Sequence, residues 1–407
     1  MTTLYGSTLT RRDIAARGGT LAQFAGVRLM TLGDGVERGI RMLEFRTGSG
    51  LRFTVLVDRA MDLAEVDHNG RAIGWHSPAG FRHPGLHDHE GEAGFAFTRS
   101  FSGMLVTCGL DHTLAPEDVP ADTYNYPNKP MVRQPLHGRV GMIPARLTGY
   151  GERWEGDRCI LWAEGLIEQA AVFGEVLHLQ RRIEADLGGD DIRISDHVVN
   201  AGFALTPHMF FYHINIGYPV IDEGTRYVAP ITDVIWASHA GEGYAAQGVG
   251  YDRCPAPLRD FREQVWQHAV AADADGRVPV ALINDRLGFG VEVSYRQDQL
   301  PCLFQWQNFQ AGNYVMGIEP SSHHVPGDLA ARARDEMIWL GAGESRDYAL
   351  TIRVLPDAHA TTMAEQRIAA ISAQPAMPYP DPSGVFARLV GRDRATADAR
   401  HATSEKR

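Results

Sequence analysis

LEFRTGSGLRFTVLVD, residues 43–58, decides the fold. Apolar and polar residues alternate on both sides of Thr47-Gly48-Ser49-Gly50, and a period of two buries one face of an extended strand while the other stays wet. The two glycines supply the positive φ angles that a tight reversal demands. The stretch therefore reads as a β-hairpin inside a longer extended segment, 39–59. Similar alternation, bounded by Gly, Pro, Asn and Asp, recurs at 157–169, 175–200, 289–296 and 345–356, with 185–191 as the turn between two further strands. Many short strands without βαβ alternation predict an antiparallel sandwich rather than a doubly wound sheet.

Helical signal is thin. Residues 9–25 allow one short helix broken at Gly18-Gly19, and 360–374 has the Ala-rich spacing of a surface helix. Beyond Pro375 the chain is Pro-rich, then polar and charged, which predicts a loosely attached tail. With no repeat and no composition shift before residue 356, the expectation is one all-β domain over 1–356, followed by a helix and tail over 357–407.

The 407 residues are 44% hydrophobic, enough for a substantial core, and carry a formal net charge of −11. That balance argues against nucleic acid, whose backbone is held by clustered Lys and Arg. No segment reaches the roughly 20 apolar residues of a membrane span, and the N-terminus lacks a secretory apolar run. Cys108, Cys159, Cys254 and Cys302 lie far apart with no CxxC pair, against a zinc knuckle or a disulfide framework. A cytoplasmic protein with reduced thiols is expected. Neither a nucleotide-binding glycine motif nor a GxSxG elbow is present.

Histidine, the side chain best suited to moving protons near neutral pH, occurs seventeen times. His137 in QPLHGRVG, His213 in MFFYHINIGYP and His323-His324 in GIEPSSHHVPG each read as strand ends meeting turns, where side chains can face a cleft. Alternation puts Tyr212, Ile214 and Ile216 on one face and His213 with Asn215 on the other. His213 is then either a hydrogen-bonded core histidine or part of a ligand-facing wall. Glu319, closing NYVMGIEP, is either a partly buried base with a raised pKa or an exposed turn residue, and the polar loop after it could close over a ligand.

Asp58 and Arg59 end the strand RFTVLVDRAMD. They form either an ion pair of little worth or an arginine donor held in place by its carboxylate. Arg99 and Arg139 admit the same two readings. Trp75, Trp306 and Phe304 are core aromatics or stacking faces for a pyranose, and Gln305 and Gln307 beside Trp306 favour it as the stacking face. His76, His83, His87, His89 and His112, with the HDHE run at 87–90, raise metal ligation, but no HExxH-like spacing exists and 85–92 reads as a solvated loop. No metal and no cofactor is expected.

Five segments, VDRAMDLAEVDHNGRAIGWHSPAGF (57–81), FSGMLVTCGLDH (101–112), LHGRVG (136–141), FYHINIGYP (211–219) and GIEPSSHHV (317–325), follow in an order that resembles the aldose 1-epimerase, or galactose-mutarotase-like, superfamily. More specifically they resemble its divergent bacterial branch described as a domain of unknown function. The resemblance spans about 25–356. It implies a large antiparallel β-supersandwich and an isomerase that interconverts the anomers of a free sugar, with Glu319 as base and His213 as acid. It implies that His137 is a second pocket histidine and that Arg59 or Arg99 is the substrate-binding arginine. Asp58, Trp75, Arg139, Asn215, Gln305 and Trp306 complete the expected sugar-binding set.

FYHINIGYP and the His-rich loop 82–92 depart from the family pattern, which leaves the sugar open. Two alternatives stand beside this reading: a metal-dependent isomerase, epimerase or lyase acting on a keto-sugar derivative, and a non-catalytic carbohydrate-binding protein. The expected partner is a small-molecule sugar, with neither nucleic acid nor membrane, and a homodimer is left open.

Overall fold

In the computed structural model, which describes residues 2–240, 247–371 and 379–386, the 43–58 stretch forms the hairpin that its alternation predicts. Strands Arg41–Arg46 and Leu51–Leu56 pair antiparallel, and Gly48 and Gly50 hold φ of +83° and +117° in the turn. A Cβ on Gly50 would press on the Asn69 side chain, and the positive φ there is one that L side chains rarely adopt. The hairpin is the centre of a five-stranded sheet.

Two larger antiparallel sheets make the sandwich. An eight-stranded sheet contains Arg158–Ala170, Val176–Asp186, Asp191–Asn200, Phe289–Arg296 and Ser345–Leu355. Facing it, Leu105–Leu110, Thr206–Ile216, Gln264–Val270, Cys302–Asn308 and Val315–Ser321 form the centre of a seven-stranded sheet. Every residue of Thr206–Ile216 is buried, because one side meets the opposite sheet and the other is covered by loops. The all-β antiparallel class read from the sequence is the architecture observed.

A charged cluster locks the two sheets together. From the eight-stranded sheet, Arg181 donates Nε and Nη2 to the two carboxylate oxygens of Asp196 at 2.8 and 2.6 Å, and Nη1 to Asp62 at 3.0 Å. Tyr212, on the inward face of the seven-stranded sheet, donates its hydroxyl to Asp196 at 2.8 Å, while Thr107 donates to Asp62 at 2.6 Å. The Arg181 and Asp196 side chains are completely buried, so each charge depends on the other.

Few helices occur. Arg11–Arg17 starts at Thr10 with a reciprocal Thr10–Asp13 capping box and stops at Gly18. Ala358–Ile371 is the surface helix expected near 360–374: Ala364 and Ile368 pack on Ala281, Ile283 and Leu355, and most of its other residues are exposed.

Part of the expected loose tail is docked. Tyr379 stacks on His239, the Ser383 amide donates to the Val234 carbonyl, and Phe386 is buried beside His324. The rest of that tail, 372–378 and 387–407, lies outside the described residues. Among the described residues no helix is long and apolar enough to cross a membrane.

Replacing Arg181 with Met leaves the buried Asp196 carboxylate without its cation and is expected to lower unfolding stability by about 3–5 kcal/mol. Denaturant unfolding checks this; a loss within about 1 kcal/mol would show that the cluster does not hold the sheets.

Candidate active site

Strand register builds the site. Val106 pairs with His213, Phe304 with Glu319 and Gln267 with Phe304, so one row crosses five strands on the outer face of the seven-stranded sheet. The next row holds Asn215, Gly317, Trp306 and Val265. Between the His213 and Glu319 strands, the ladder pairs Phe211 with Ser321 and Ile214 with Ile318 and skips the two positions between. Pro320 occupies one of these and has no N–H to offer. His213 and Glu319 are therefore mid-strand residues rather than the strand ends read from the sequence.

The two side chains meet: His213 Nε2 lies 3.2 Å from Glu319 Oε1, with 4% and 5% of the side chains exposed. Nδ1 of His213 and Oε1 of Glu319 have no hydrogen-bond partner, so the contact is close without hydrogen-bond alignment. Aromatic rings enclose the imidazole, with Phe101 at 4.6 Å, Trp306 at 5.2 Å and His137 at 5.8 Å between centroids. Trp75 closes the group against Phe101 and Trp306. A Cβ on Gly317 would lie 2.7 Å from Glu319 Oε1 and 3.2 Å from His213 Cε1, so the two side chains occupy the place that a larger residue would need.

Burial decides the charge state of the pair. It pushes the Glu319 carboxyl well above its ordinary value, with the Glu263 carboxylate adding to the effect. It drives His213 down to about 3, and the neighbouring Asn215 side chain opposes this weakly. Attraction across 3.2 Å favours the ion pair, but loss of water disfavours both charges. We assign the resting pair as carboxylic acid and neutral imidazole, with the ionisable proton on Glu319.

The remaining candidates divide. His137 reaches the site at a left-handed φ of +61°, its ring against Phe97, Phe211 and His213, and Nδ1 accepting from the Leu114 amide. Trp75 and Trp306 are in place, and Trp306 Nε1 donates to Glu263 at 2.8 Å. Arg59 is buried and donates to the Ser100 carbonyl, while its Nε and Nη1 have no partner. Arg139 lines the same recess, with Nη2 on the Arg133 carbonyl and Asp111 3.7 Å from Nη1. Asn215 shares the His213 face but spends its amide on the Gly103 and His213 carbonyls.

Three expectations are corrected. Asp58 does not hold Arg59; it accepts from Arg41, whose Nη2 lies at 2.5 Å. Arg99 is exposed and paired with Glu92. Gln305 sits one residue from Trp306 on a strand and so faces the other way, into the space between the sheets, donating to the Tyr251 carbonyl. The loop after Glu319 is also no lid: His323 is buried between Ser322 and the Ile338 amide. Among the described residues no three His, Cys, Asp or Glu side chains are grouped as a metal site requires. The sequence reading missed Phe101, Phe97, Gly317 and Glu263; only Gly317, a glycine inside an apolar strand, carried a local signal.

A family model described as a domain of unknown function, DUF4432, matches residues 37–354. The chain belongs to the DUF4432 family. No curated protein matches it. Among solved structures this DUF4432 chain is similar to a candidate aldose 1-epimerase from Klebsiella pneumoniae, with 23% identity and a TM-score of 0.74 over 87% of this chain and 91% of the other. It is also similar to a galactose mutarotase-like protein from Clostridium acetobutylicum (12% identity, TM-score 0.53, 81% and 98% covered). A galactose 1-epimerase from Lactobacillus acidophilus is a third (14%, 0.50, 81% and 98%). At these identities the likeness establishes a galactose-mutarotase-like fold for the DUF4432 chain.

A carboxyl group whose folded pKa is raised gives full stability below its unfolded value, near 4.5, and loses it as pH rises towards the folded value. Glu319→Gln removes that loss. The variant is expected to match wild type in thermal unfolding at pH 4 and to exceed it increasingly above pH 5. A variant less stable than wild type at pH 8 would show that Glu319 is ionised and well compensated in the folded protein.

Proposed function

We propose that this DUF4432 chain is an isomerase of the aldose 1-epimerase type, which interconverts the anomers of a free sugar by general acid–base catalysis. The observation that carries the reading is the imidazole and carboxyl group 3.2 Å apart, out of water, in front of aromatic faces. The fold shared with a galactose 1-epimerase supports it.

Mutarotation removes a proton from the anomeric hydroxyl and delivers one to the ring oxygen, which opens the ring to the carbonyl form. Rotation about the bond to the first carbon and reclosure give the other anomer. A pair with one mobile proton performs both transfers, the protonated member giving and the other taking. Because burial leaves the resting proton on Glu319, the opening step starts with Glu319 as donor to the ring oxygen and His213 as acceptor from the anomeric hydroxyl. Closure runs the transfers backwards, which restores Glu319 as acid. This is the reverse of the initial roles that the family resemblance implies. Trp306 and Trp75 offer apolar faces to the sugar's C–H groups, and His137 and Arg59 bind its oxygens. Phe101, 4.6 Å from His213, must swing aside to admit a ring. It belongs to the 73–104 connection, which has no strand and only short 3-10 turns over its central part.

Glu319→Gln and His213→Gln should each slow anomer exchange by about 10²–10⁴-fold. Glu319→Gln should keep sugar affinity within a few-fold. NMR exchange spectroscopy at equilibrium, over a panel of aldoses, ketoses and sugar acids, reads both quantities. Exchange at the wild-type rate in Glu319→Gln would remove that residue from the chemistry.

A further inference from the structure

Only one charged side chain among the described residues acts on Glu319, and it is Glu263. The other ionisable groups around the acid–base pair come from each element packed against it: His213 from the neighbouring strand, His137 from the loop at 135–139, Cys108 from Leu105–Leu110 and Tyr227 from the eight-stranded sheet. Burial keeps all four neutral near neutrality. It drives His213 down to about 3 and His137 well below the imidazole range, and it raises the Cys108 thiol and the Tyr227 phenol.

Strand register brings Glu263 to the site. Val265 pairs with Trp306 across the strands Gln264–Val270 and Cys302–Asn308, and Glu263, two residues before Val265, projects to the same outer face. There it accepts the indole Nε1–H of Trp306 at 2.8 Å, the one polar atom of a ring that otherwise meets other rings. That ring lies 5.2 Å from His213, 5.5 Å from Phe101 and 6.1 Å from Trp75 between centroids, edge-on in each case. Among the described residues Glu263 forms no ion pair with an Arg, Lys or His. Its charge is weakened by the water it is exposed to and cancelled by no cation.

An indole packed only against other rings can tilt, whereas an acceptor on its N–H fixes its plane, and a covered N–H is costly to leave unbonded. A negative charge beside a carboxyl group resists the loss of its proton. Resting on the anomer-exchange reading, we propose that Glu263 is a positioning residue for this reaction: it fixes the Trp306 indole as the wall on which the sugar stacks, and its charge keeps the proton on Glu319 until the ring oxygen takes it. Glu263 itself touches neither reacting atom. It works through Trp306 by a hydrogen bond and through Glu319 by its field.

Two variants of the full-length protein separate the two roles. Glu263→Gln keeps an oxygen acceptor for the indole and removes the charge, while Glu263→Leu removes both. NMR exchange spectroscopy, on the sugar of the aldose, ketose and sugar-acid panel that wild type exchanges fastest, gives KM and the pH dependence of kcat/KM. Glu263→Leu should raise KM by about 3- to 10-fold, the span of one lost hydrogen bond, and Glu263→Gln should bring it back to within about twofold of wild type. Both variants should move the alkaline limb of kcat/KM, where Glu319 loses its proton, to lower pH by about half a unit to one unit. The carboxyl carbon signal of Glu319 should titrate with the same displacement, and the Trp306 indole N–H should exchange with water faster in Glu263→Leu than in Glu263→Gln. A limb and a carboxyl titration left in place by Glu263→Gln would overturn the effect on Glu319, and equal KM values in the two variants would overturn the hold on Trp306. If wild type accelerates no sugar, anomer exchange is overturned, and the carboxyl titration and indole exchange then decide by themselves whether Glu263 acts on the pair and its wall.

Discussion

An acid and a base held side by side out of water are the constraint around which this chain is arranged. Either charge alone would be strongly disfavoured there, so the pair persists as one carboxyl group and one neutral imidazole. Each neighbouring feature maintains that state. The register of antiparallel strands sets His213 opposite Glu319, and Pro320 loosens the ladder at that point. Gly317 leaves room for the pair, and Phe101, Trp306 and Trp75 exclude solvent.

The reverse side of the same strand is equally fixed. Tyr212, next to His213 and facing inward, is tied to Asp196 and through it to Arg181 and Asp62. A rigid strand with a buried polar anchor on one face and a reactive imidazole on the other suits proton transfer, in which small displacements of donor and acceptor are expensive. The cover is built differently. Phe97 and Phe101 come from a connection with only short turns, so the part of the site that must move to admit a ligand belongs to the least regular chain nearby.

How much was legible in the sequence follows from which forces are local. Period-two alternation and Gly-rich reversals gave the hairpins and the antiparallel class, and the same alternation put His213 and Asn215 on one face. Applied to Cys302–Asn308, it also separates Gln305 from Trp306, so that misplacement was avoidable. Pro320 misled, because proline ordinarily ends a central strand. Asp58 with Arg41, and Arg59 on the Ser100 carbonyl, depend on contacts between segments far apart in sequence, which no local pattern encodes. The aromatic cover was invisible for a similar reason: Phe101 belongs to a segment without periodicity, and its place is set only when the sheet beneath it exists.

The most direct test of the central claim is an NMR titration of the resting protein, with labelled histidine imidazole and glutamate carboxyl groups assigned through His213 and Glu319 variants. The account predicts that between pH 5 and 7 the His213 ring stays neutral while the Glu319 carboxyl remains protonated. An imidazole titrating near 6.5 beside a carboxylate already ionised at pH 5 would contradict it, since the pair would then be an ordinary solvated acid and base.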